Sequence, residues 1–385
     1  SISTEQINYD LLLKLDKMFL PAIEHPAWKD WRKRAIQWFE FREGNQLTAD
    51  QITALKSRNQ PEIVENQIKI EVDRILGQYA QVKTRAIYKG RNTPQDTQTG
   101  EALSDLALFI DQTGDYDEEE ELMFDDGIVG GMGVIEVYID INEMLEPEIK
   151  FRHEDCFNIF PDPYSRRYDW NKDANYICRA KWLDIEEAEQ LYPKYKSEIN
   201  NLFSSTIATE LNRSDEFKKE NYIDEKRKRI RIIEVYYKEK ESKQYILTYN
   251  GEMIEADTLS KADKNLLIKS GAEIITNSSS KIKVGIYSPG ILFEHKDAQS
   301  GDKLFPFIPY FYARKKDGAP YSLVTALIDP QTEINSRRSK ALHMLNNNQA
   351  IYEEGAISDK VLLANEKARA DGQIEVNRGK MDKLE

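Results

Sequence analysis

Apolar and polar positions along the chain follow two periods, and each change of period marks a change of element. Residues 5–43 keep helical spacing, with Trp28, Trp31, Trp38, Phe39 and Phe41 set among basic residues. An amphipathic helix docked on the body is the expectation, ahead of a surface that stacks on nucleic-acid bases. After Asn59-Gln60-Pro61, the residues Val64, Ile68, Val72, Ile75, Leu76 and Tyr79 recur every three or four positions and predict one buried helical face. Val82, Thr84, Ala86 and Tyr88 then alternate with Lys83, Arg85 and Lys89, which predicts a strand, and residues 90–100 read as a loop. Helices are predicted around 103–110 and over 116–129. Period two returns in Ile135, Val137, Ile139 and Ile141, with a partner strand over 148–153 and a further strand over 176–182. Asp184 and Glu187 have capping-box spacing before a helix that ends near Pro193.

Between 229 and 310 the pattern shortens to strands near 230–237, 244–249 and 281–294. Asn250-Gly251 serves as a hairpin turn and a helical insert is expected at 257–270. This reads as a small α/β module separate from the first. Next comes a helix that is polar nearly all round, from Asp329-Pro330-Gln331-Thr332-Glu333-Ile334-Asn335-Ser336-Arg337-Arg338-Ser339-Lys340 to Asn346-Asn347-Asn348. Asp329 suits the cap and Pro330 the first helical position. Its few apolar residues are too few for one face of a globular core, so the helix is expected to pack on copies of itself, line a wet channel or bridge domains. If helical throughout, 321–348 would span on the order of 40 Å at ~1.5 Å per residue.

At 385 residues the chain is long enough for two or three domains. It has no apolar run of membrane-spanning length, and Ser1 to Asp10 lack a signal-peptide layout. Cys156 and Cys178 lie in separate elements without CxxC spacing, and reduced thiols are expected. The net charge of −13 argues against a protein that grips duplex DNA by neutralising phosphates. The charge is uneven: residues 101–150 carry sixteen acidic side chains against the single Lys150, whereas 226–231 and 314–316 are basic.

Few motifs carry chemistry. Gly127, Gly130, Gly131 and Gly133 follow a helix and precede a strand, the reverse of a phosphate-cradling loop, so helix termination with close backbone packing is expected. There is no GxxxxGK[ST] motif. His25, His153, His295 and His343 are scattered without metal-ligand spacing, and no HExxH, GxSxG or Cys–His pair occurs. Asp162, Asp169 and Asp173 match no ion-binding loop, and turn formation around Pro161 and Pro163 explains them. No enzyme, catalytic residue, cofactor or metal is expected.

The chain resembles the portal proteins of tailed bacteriophages, of the podovirus type of head-to-tail connector. The resemblance lies in ordered blocks: Trp38-Phe39, Asn59-Gln60-Pro61, Asn66-Gln67-Ile68-Lys69, Gly130-Gly131-Met132-Gly133, Phe160-Pro161-Asp162-Pro163-Tyr164-Ser165 with Asp173-Ala174 downstream, and the block at 329–339. It implies an α+β portal-type fold: an N-terminal helical and aromatic arm at 1–59, an α/β wing at 60–225, a small α/β clip at 226–310, a stem helix at 311–355 and a channel-facing segment at 356–385. It further implies a ring of about twelve copies at one capsid vertex of the virion, assembled in the host cytoplasm. Double-stranded DNA would pass through without sequence specificity. Partners would be the large terminase, major capsid and scaffolding proteins, and head-completion or tail adaptor proteins. Family members usually continue into a helical crown, so the stop at Lys383-Leu384-Glu385 suggests a crown absent or cut off.

Within that picture Arg337, Arg338 and Lys340 are candidate DNA-channel contacts, or else partners of a neighbouring subunit's acids. Lys226, Arg227, Lys228, Arg229, Arg231, Arg314, Lys315 and Lys316 are candidates for a partner-docking surface, or else charges guarding an exposed strand edge. Alternative readings are another virion adaptor or minor capsid protein and, more distantly, a metal-dependent DNA-processing enzyme.

Overall fold

The computed structural model describes residues 4–58, 60–82, 85–90, 93–141, 145–202, 222–224, 226–247, 253–256, 259, 261–269, 271–298, 303–346, 355–367 and 373–377. The chain divides into two compact units, Ser1–Phe39 with Val72–Thr325, and Glu40–Glu71 with Ala326–Glu385. Its class is α+β, and all described strand pairs are antiparallel. No described helix is long and apolar enough to cross a membrane.

The chain opens with α1 (Thr4–Glu24) and α2 (Pro26–Glu43), a pair in place of the single helix expected over 5–43. After α3 (Ala49–Ser57) and an extended stretch comes α4 (Gln67–Gln81), which starts later than its apolar spacing suggests. Val64 is therefore exposed, while Ile68 and Val72 are buried. α5 (Pro94–Thr113) and α6 (Tyr116–Gly130) lead into β1 (Met132–Ile141) and β2 (Pro147–Glu154). β3 (Ile159–Pro161), α7 (Trp170–Asp173), β4 (Tyr176–Asp184), α8 (Ile185–Leu191), α9 (Lys196–Leu202) and β5 (Ile223–Asp224) follow. Next are β6 (Arg229–Leu247), β7 (Met253–Glu255), α10 (Lys261–Lys269), β8 (Glu273–Ser288) and β9 (Ile291–Asp297). The chain then runs through β10 (Phe307–Phe311), β11 (Ala313–Arg314), β12 (Pro320–Tyr321), α11 (Ile328–Asn346) and α12 (Lys360–Lys367).

In the first unit the strands form a sheet ordered β10-β1-β2 and a larger one ordered β3-β4-β6-β8-β9, with β5 and β7 also on β6. Helix α1 lays Leu12, Leu15 and Phe19 on the larger sheet against Phe160, Cys178, Val235, Tyr287 and Phe293. Full burial of each large apolar side chain contributes roughly 1.5–3 kcal/mol. The three tryptophans of α2 belong to the body of this unit: Trp28, Trp31 and Trp38 are buried, and Trp31 Nε1 donates to the Gly130 carbonyl at 2.8 Å. They are unavailable for base stacking.

The glycine cluster ends α6 and starts β1. Gly131 has φ +84°, the left-handed region a helix terminus uses. A Cβ on Gly133 would lie 1.8 Å from the Met123 carbonyl oxygen, so the strand passes the helix at a distance only glycine permits.

Several expectations are corrected. Residues 85–90 form no strand; the Tyr88 amide donates to Ser104 Oγ at 2.9 Å, so α5 takes the hydrogen bond a sheet neighbour would have taken. The loop expected through residue 100 ends at Thr93, which makes a capping box with Asp96 ahead of Pro94. Asp184 makes no cap hydrogen bond and pairs with Arg229 at 2.9 Å. The strands expected at 230–237 and 244–249 are one strand, β6. It pairs with β4 from Asp184↔Arg229 to Tyr176↔Tyr237, so strands from either side of the boundary at which a separate module was expected to begin share the larger sheet. The Asn250-Gly251 turn lies outside the described residues.

The β6–β8 hairpin has a core at each end. Its near half belongs to the main cluster through Ile233, Val235 and Tyr287, whereas Ile246, Ala256 and Ala272 form a small separate cluster with Leu259 and Leu267. Between them lies a polar middle, where Lys283 pairs with Glu239 at 2.5 Å and Lys281 with Asp297 at 2.7 Å.

Candidate functional site

Helix α11, the most informative stretch of the sequence, belongs to the second unit and is inverted. Gln331, Asn335 and Ser339 recur every four residues along one face, and they are 1%, 4% and 3% exposed. Each binds the extended stretch after α3 or a residue near it. Gln331 Nε2 donates to the Glu65 carbonyl at 2.7 Å, and its Oε1 accepts from the amides of Gln67 (2.9 Å) and Ile68 (3.3 Å), capping the first turn of α4. Asn335 Oδ1 accepts from the Glu65 amide at 3.0 Å, its Nδ2 donates to Gln46 Oε1 at 2.6 Å, and Ser339 Oγ donates to the Pro61 carbonyl at 2.7 Å. The helix thus satisfies the backbone of a segment that has no sheet neighbour of its own.

The apolar residues of the helix are left exposed. Ile334 and Leu345 are 36% and 80% exposed, Met344 is exposed too, and Ile334, Ala341 and Leu345 share one face at helical spacing. The helix is shorter than expected: a 3-10 turn spans Leu323–Ala326 and α11 starts at Ile328, so Asp329 sits in the first turn and does not cap it.

The three channel candidates lie on the exposed part of α11. Arg337 pairs with Glu333 one turn earlier, and Arg338 with Glu65 at 2.9 Å. Lys340 lines a cleft of about 460 Å³ with Gln51, Arg58 and Thr332. Pairing with acids of the same chain is therefore present for both arginines, an arrangement the expectation had not included.

The basic docking candidates are scattered by the fold. Lys226, Arg227 and Lys228 are exposed in the turn before β6, and Arg229 is half-buried in its pair with Asp184. Arg231, the next residue but one, points inward and is 8% exposed. Its guanidinium lies over the rings of Phe160 (4.8 Å), Phe19 (5.4 Å) and Trp182 (5.5 Å), and burial pushes its pKa down to about 10 against the opposing effect of Tyr222 and Tyr287. The alternation of β6 places Arg231 on the core side, so it is no part of a surface run. Arg314 is also committed, donating to the carbonyls of Ser165 (2.9 Å), Gly318 and Arg167. Lys315 is half-buried and Lys316 exposed.

Sequence reasoning missed a group of charges that joins the two main sheets. Arg179 on β4 holds Glu136 of β1 (2.5 Å), Glu154 of β2 (2.9 Å) and Glu234 of β6 (2.6 Å). Lys181 adds a bond to Glu154 at 2.8 Å, and Arg152 pairs with both Glu136 and Glu154. Burial alone would raise the Glu154 pKa, but Arg179, Lys181 and Arg152 outweigh it and hold the carboxyl below the usual range. Only the unusual placing of Glu136 and Glu154 on otherwise half-apolar strands hinted at this in the sequence.

The acids near Pro161 and Pro163 are turn-formers. Asp162 accepts from the amides of Tyr164 and Asn175, Asp173 from Ser165 Oγ and the amides of Arg166 and Arg167, and Asp169 caps α7.

Against known proteins, a family model described as phage P22-like portal protein matches residues 17–384. A portal protein of Helicobacter pylori bacteriophage KHP30 is 31% identical over 188 residues, which is 45% of this chain and 29% of the relative. The match therefore spans under a third of that relative's length.

Proposed function

Because the chain belongs to the phage P22-like portal protein family, we propose that it is one subunit of a homo-oligomeric ring at a capsid vertex, of about twelve copies. The ring would pass double-stranded DNA during packaging and ejection, and would dock the large terminase and then head-completion or tail proteins. The family is structural and not enzymatic, and the role proposed is a conduit without catalysis. Wing, clip and stem are assigned to 60–225, 226–310 and 311–355, with the larger sheet continuous from wing to clip.

The observation that carries this reading is the inversion of α11. A helix that buries its amides and leaves Ile334, Ala341 and Leu345 exposed has an apolar stripe in need of cover. A neighbouring copy supplies it, as an annular assembly requires. Twelve copies would carry roughly −150 charges in all, a field that lets phosphate slide and does not hold it. Arg337, Arg338 and Lys340 are then limited contact points in an acidic conduit. The docking surface keeps the exposed members of its basic set, Lys226, Arg227, Lys228 and Lys316.

Negative-stain microscopy of the purified chain tests the ring. Rings with a hole near duplex width are expected, and Ile334→Glu with Leu345→Glu should leave monomers of unchanged circular dichroism. Parent protein that stays monomeric at micromolar concentration, or rings indifferent to both substitutions, would overturn the reading. Reversing Arg337 and Arg338 should alter packaged DNA length or ring assembly; if neither changes, their proposed role is wrong.

A further inference from the structure

We infer that the outer edge of β1 is a docking groove for residues 85–89 of a second copy, which continue the sheet where β10 stops. β10 covers β1 only from Met132 to Glu136. Among the described residues, the bond from the Val137 amide to the Pro306 carbonyl at 2.8 Å is the last along that edge. Before Pro306 the chain leaves the sheet, because the Phe305 amide donates to Asn171 Oδ1 at 2.7 Å. Antiparallel alternation turns the amides of Ile139 and Ile141 to the same side as that of Val137. The Ile141 amide donates to Asp140 Oδ1 at 2.9 Å, so a side chain stands where a neighbouring strand's carbonyl would be. A cleft of about 470 Å³ follows this edge, and its wall takes in four consecutive residues, 136–139, so backbone and both faces border it.

The two faces of the edge define its occupant. Val137, Ile139 and Ile141 share one face, and the two isoleucines are 46% and 64% exposed. Glu136, Tyr138 and Asp140 share the other, with Glu148 of β2 opposite Asp140. Cross-strand pairing therefore asks for apolar side chains on one face of the incoming strand and basic ones on the other. The chain holds such a segment. Ala86 and Tyr88 alternate with Arg85, Ile87 and Lys89, continuing the alternation that begins at Val82, yet residues 85–89 form no strand. All five are exposed, Ile87 to 73%. A strand-forming sequence without a sheet and a sheet edge without a strand thus occur on one chain, with opposite charge. They do not pair within a copy, and a second copy supplies what the first lacks. Two β1 edges cannot serve each other, since acids would then face acids.

Groove and segment are different parts of the surface, so the contact is head-to-tail, the kind whose repetition closes a ring. It rests on the reading of the chain as a ring subunit. To the apolar stripe of α11 it adds a second contact, made of backbone hydrogen bonds as in other cases of strand addition. On pairing, the Ile141 amide exchanges Asp140 for a carbonyl of the incoming strand. The carboxylate then turns to Arg85 or Lys89 of that strand.

Hydrogen exchange on the full chain tests the pairing, with a synthetic peptide of residues 82–90 as probe. The chain is kept monomeric by dilution or by Ile334→Glu with Leu345→Glu. Peptide should slow exchange of the Ile139 amide at least tenfold and leave that of Val235 unchanged. A peptide with Arg85→Glu and Lys89→Glu should bind at least tenfold more weakly, and Asp140→Lys in the chain should restore its binding. An Ile139 amide left unprotected at millimolar peptide, or binding indifferent to these charge reversals, would overturn the inference whether or not the parent forms rings. Protection of Ile139 by peptide in a parent chain that never assembles would support the strand pairing and overturn only the ring.

Discussion

Asn335 uses both ends of its side-chain amide. It accepts from the Glu65 amide and donates to Gln46. Asn335→Ala strands both partners, and leaving buried polar groups unsatisfied costs about 1–3 kcal/mol. Hydrogen exchange should show faster opening of the Glu65 and Gln67 amides, whereas amides of Val235 and Tyr237 in the first unit should be unaffected. Arg179 is the corresponding residue of the first unit. Arg179→Met leaves the Glu136, Glu154 and Glu234 carboxylates without their main partner, and breaking such a buried pair costs about 3–5 kcal/mol. The pH dependence follows from Glu154. Its folded pKa lies below its unfolded one, so its contribution is present above the ordinary glutamate range and is lost as pH falls through the folded value. Acid denaturation followed by circular dichroism should show less stability lost over that window in Glu154→Gln than in the parent.

Among the elements, β6 and β8 make the clearest mechanical prediction. At ~3.3 Å per residue a strand of this length reaches roughly 60 Å, too far for one core to hold. The far end depends on its own small cluster around Ile246. Ile246→Ser should therefore open amides near Ile246 and Ile274 in hydrogen exchange and leave Val235 protected; uniform loss of protection would mean the hairpin unfolds as one piece. The junction of α6 with β1 behaves differently because backbone meets backbone. Gly133→Ala places a methyl against the Met123 carbonyl, and overpacking of this kind costs about 1–3 kcal/mol or more, readable as a lower melting temperature.

For the whole molecule, net charge and the apolar stripe of α11 act in opposite directions. Each copy brings a formal charge of −13 to a ring, so the copies repel through solvent while the stripe draws them together. Salt screens the repulsion and leaves apolar burial intact; the Debye length falls to about 10 Å at 0.1 M. Mass photometry should show assembly at lower protein concentration as salt rises. Dissociation by salt would instead place ion pairs, such as those of Arg337 or Arg338, at the subunit contacts.

The sequence by itself determined what short-range physics dictates. The alternation of β1, its antiparallel partner β2, the glycine stop after α6 and the apolar face of α4 from Ile68 onward are written within a few residues of each position. So is the weak apolar content of α11. Tertiary structure decided which face of each element is covered, and by what. Arg231 lies inside because the alternation of β6 meets Phe19 and Phe160 there, residues far away in sequence. Residues 85–90 alternate like a strand and form none, because α5 offers the hydrogen bond. Gln331, Asn335 and Ser339 read as solvent-facing amides and a hydroxyl, yet they are buried, since the backbone they satisfy lies more than 260 residues earlier. Periodicity reports that an element has two unlike faces; which of them is turned to water is settled only when distant polar groups meet and the cost of burying each one is met by the other.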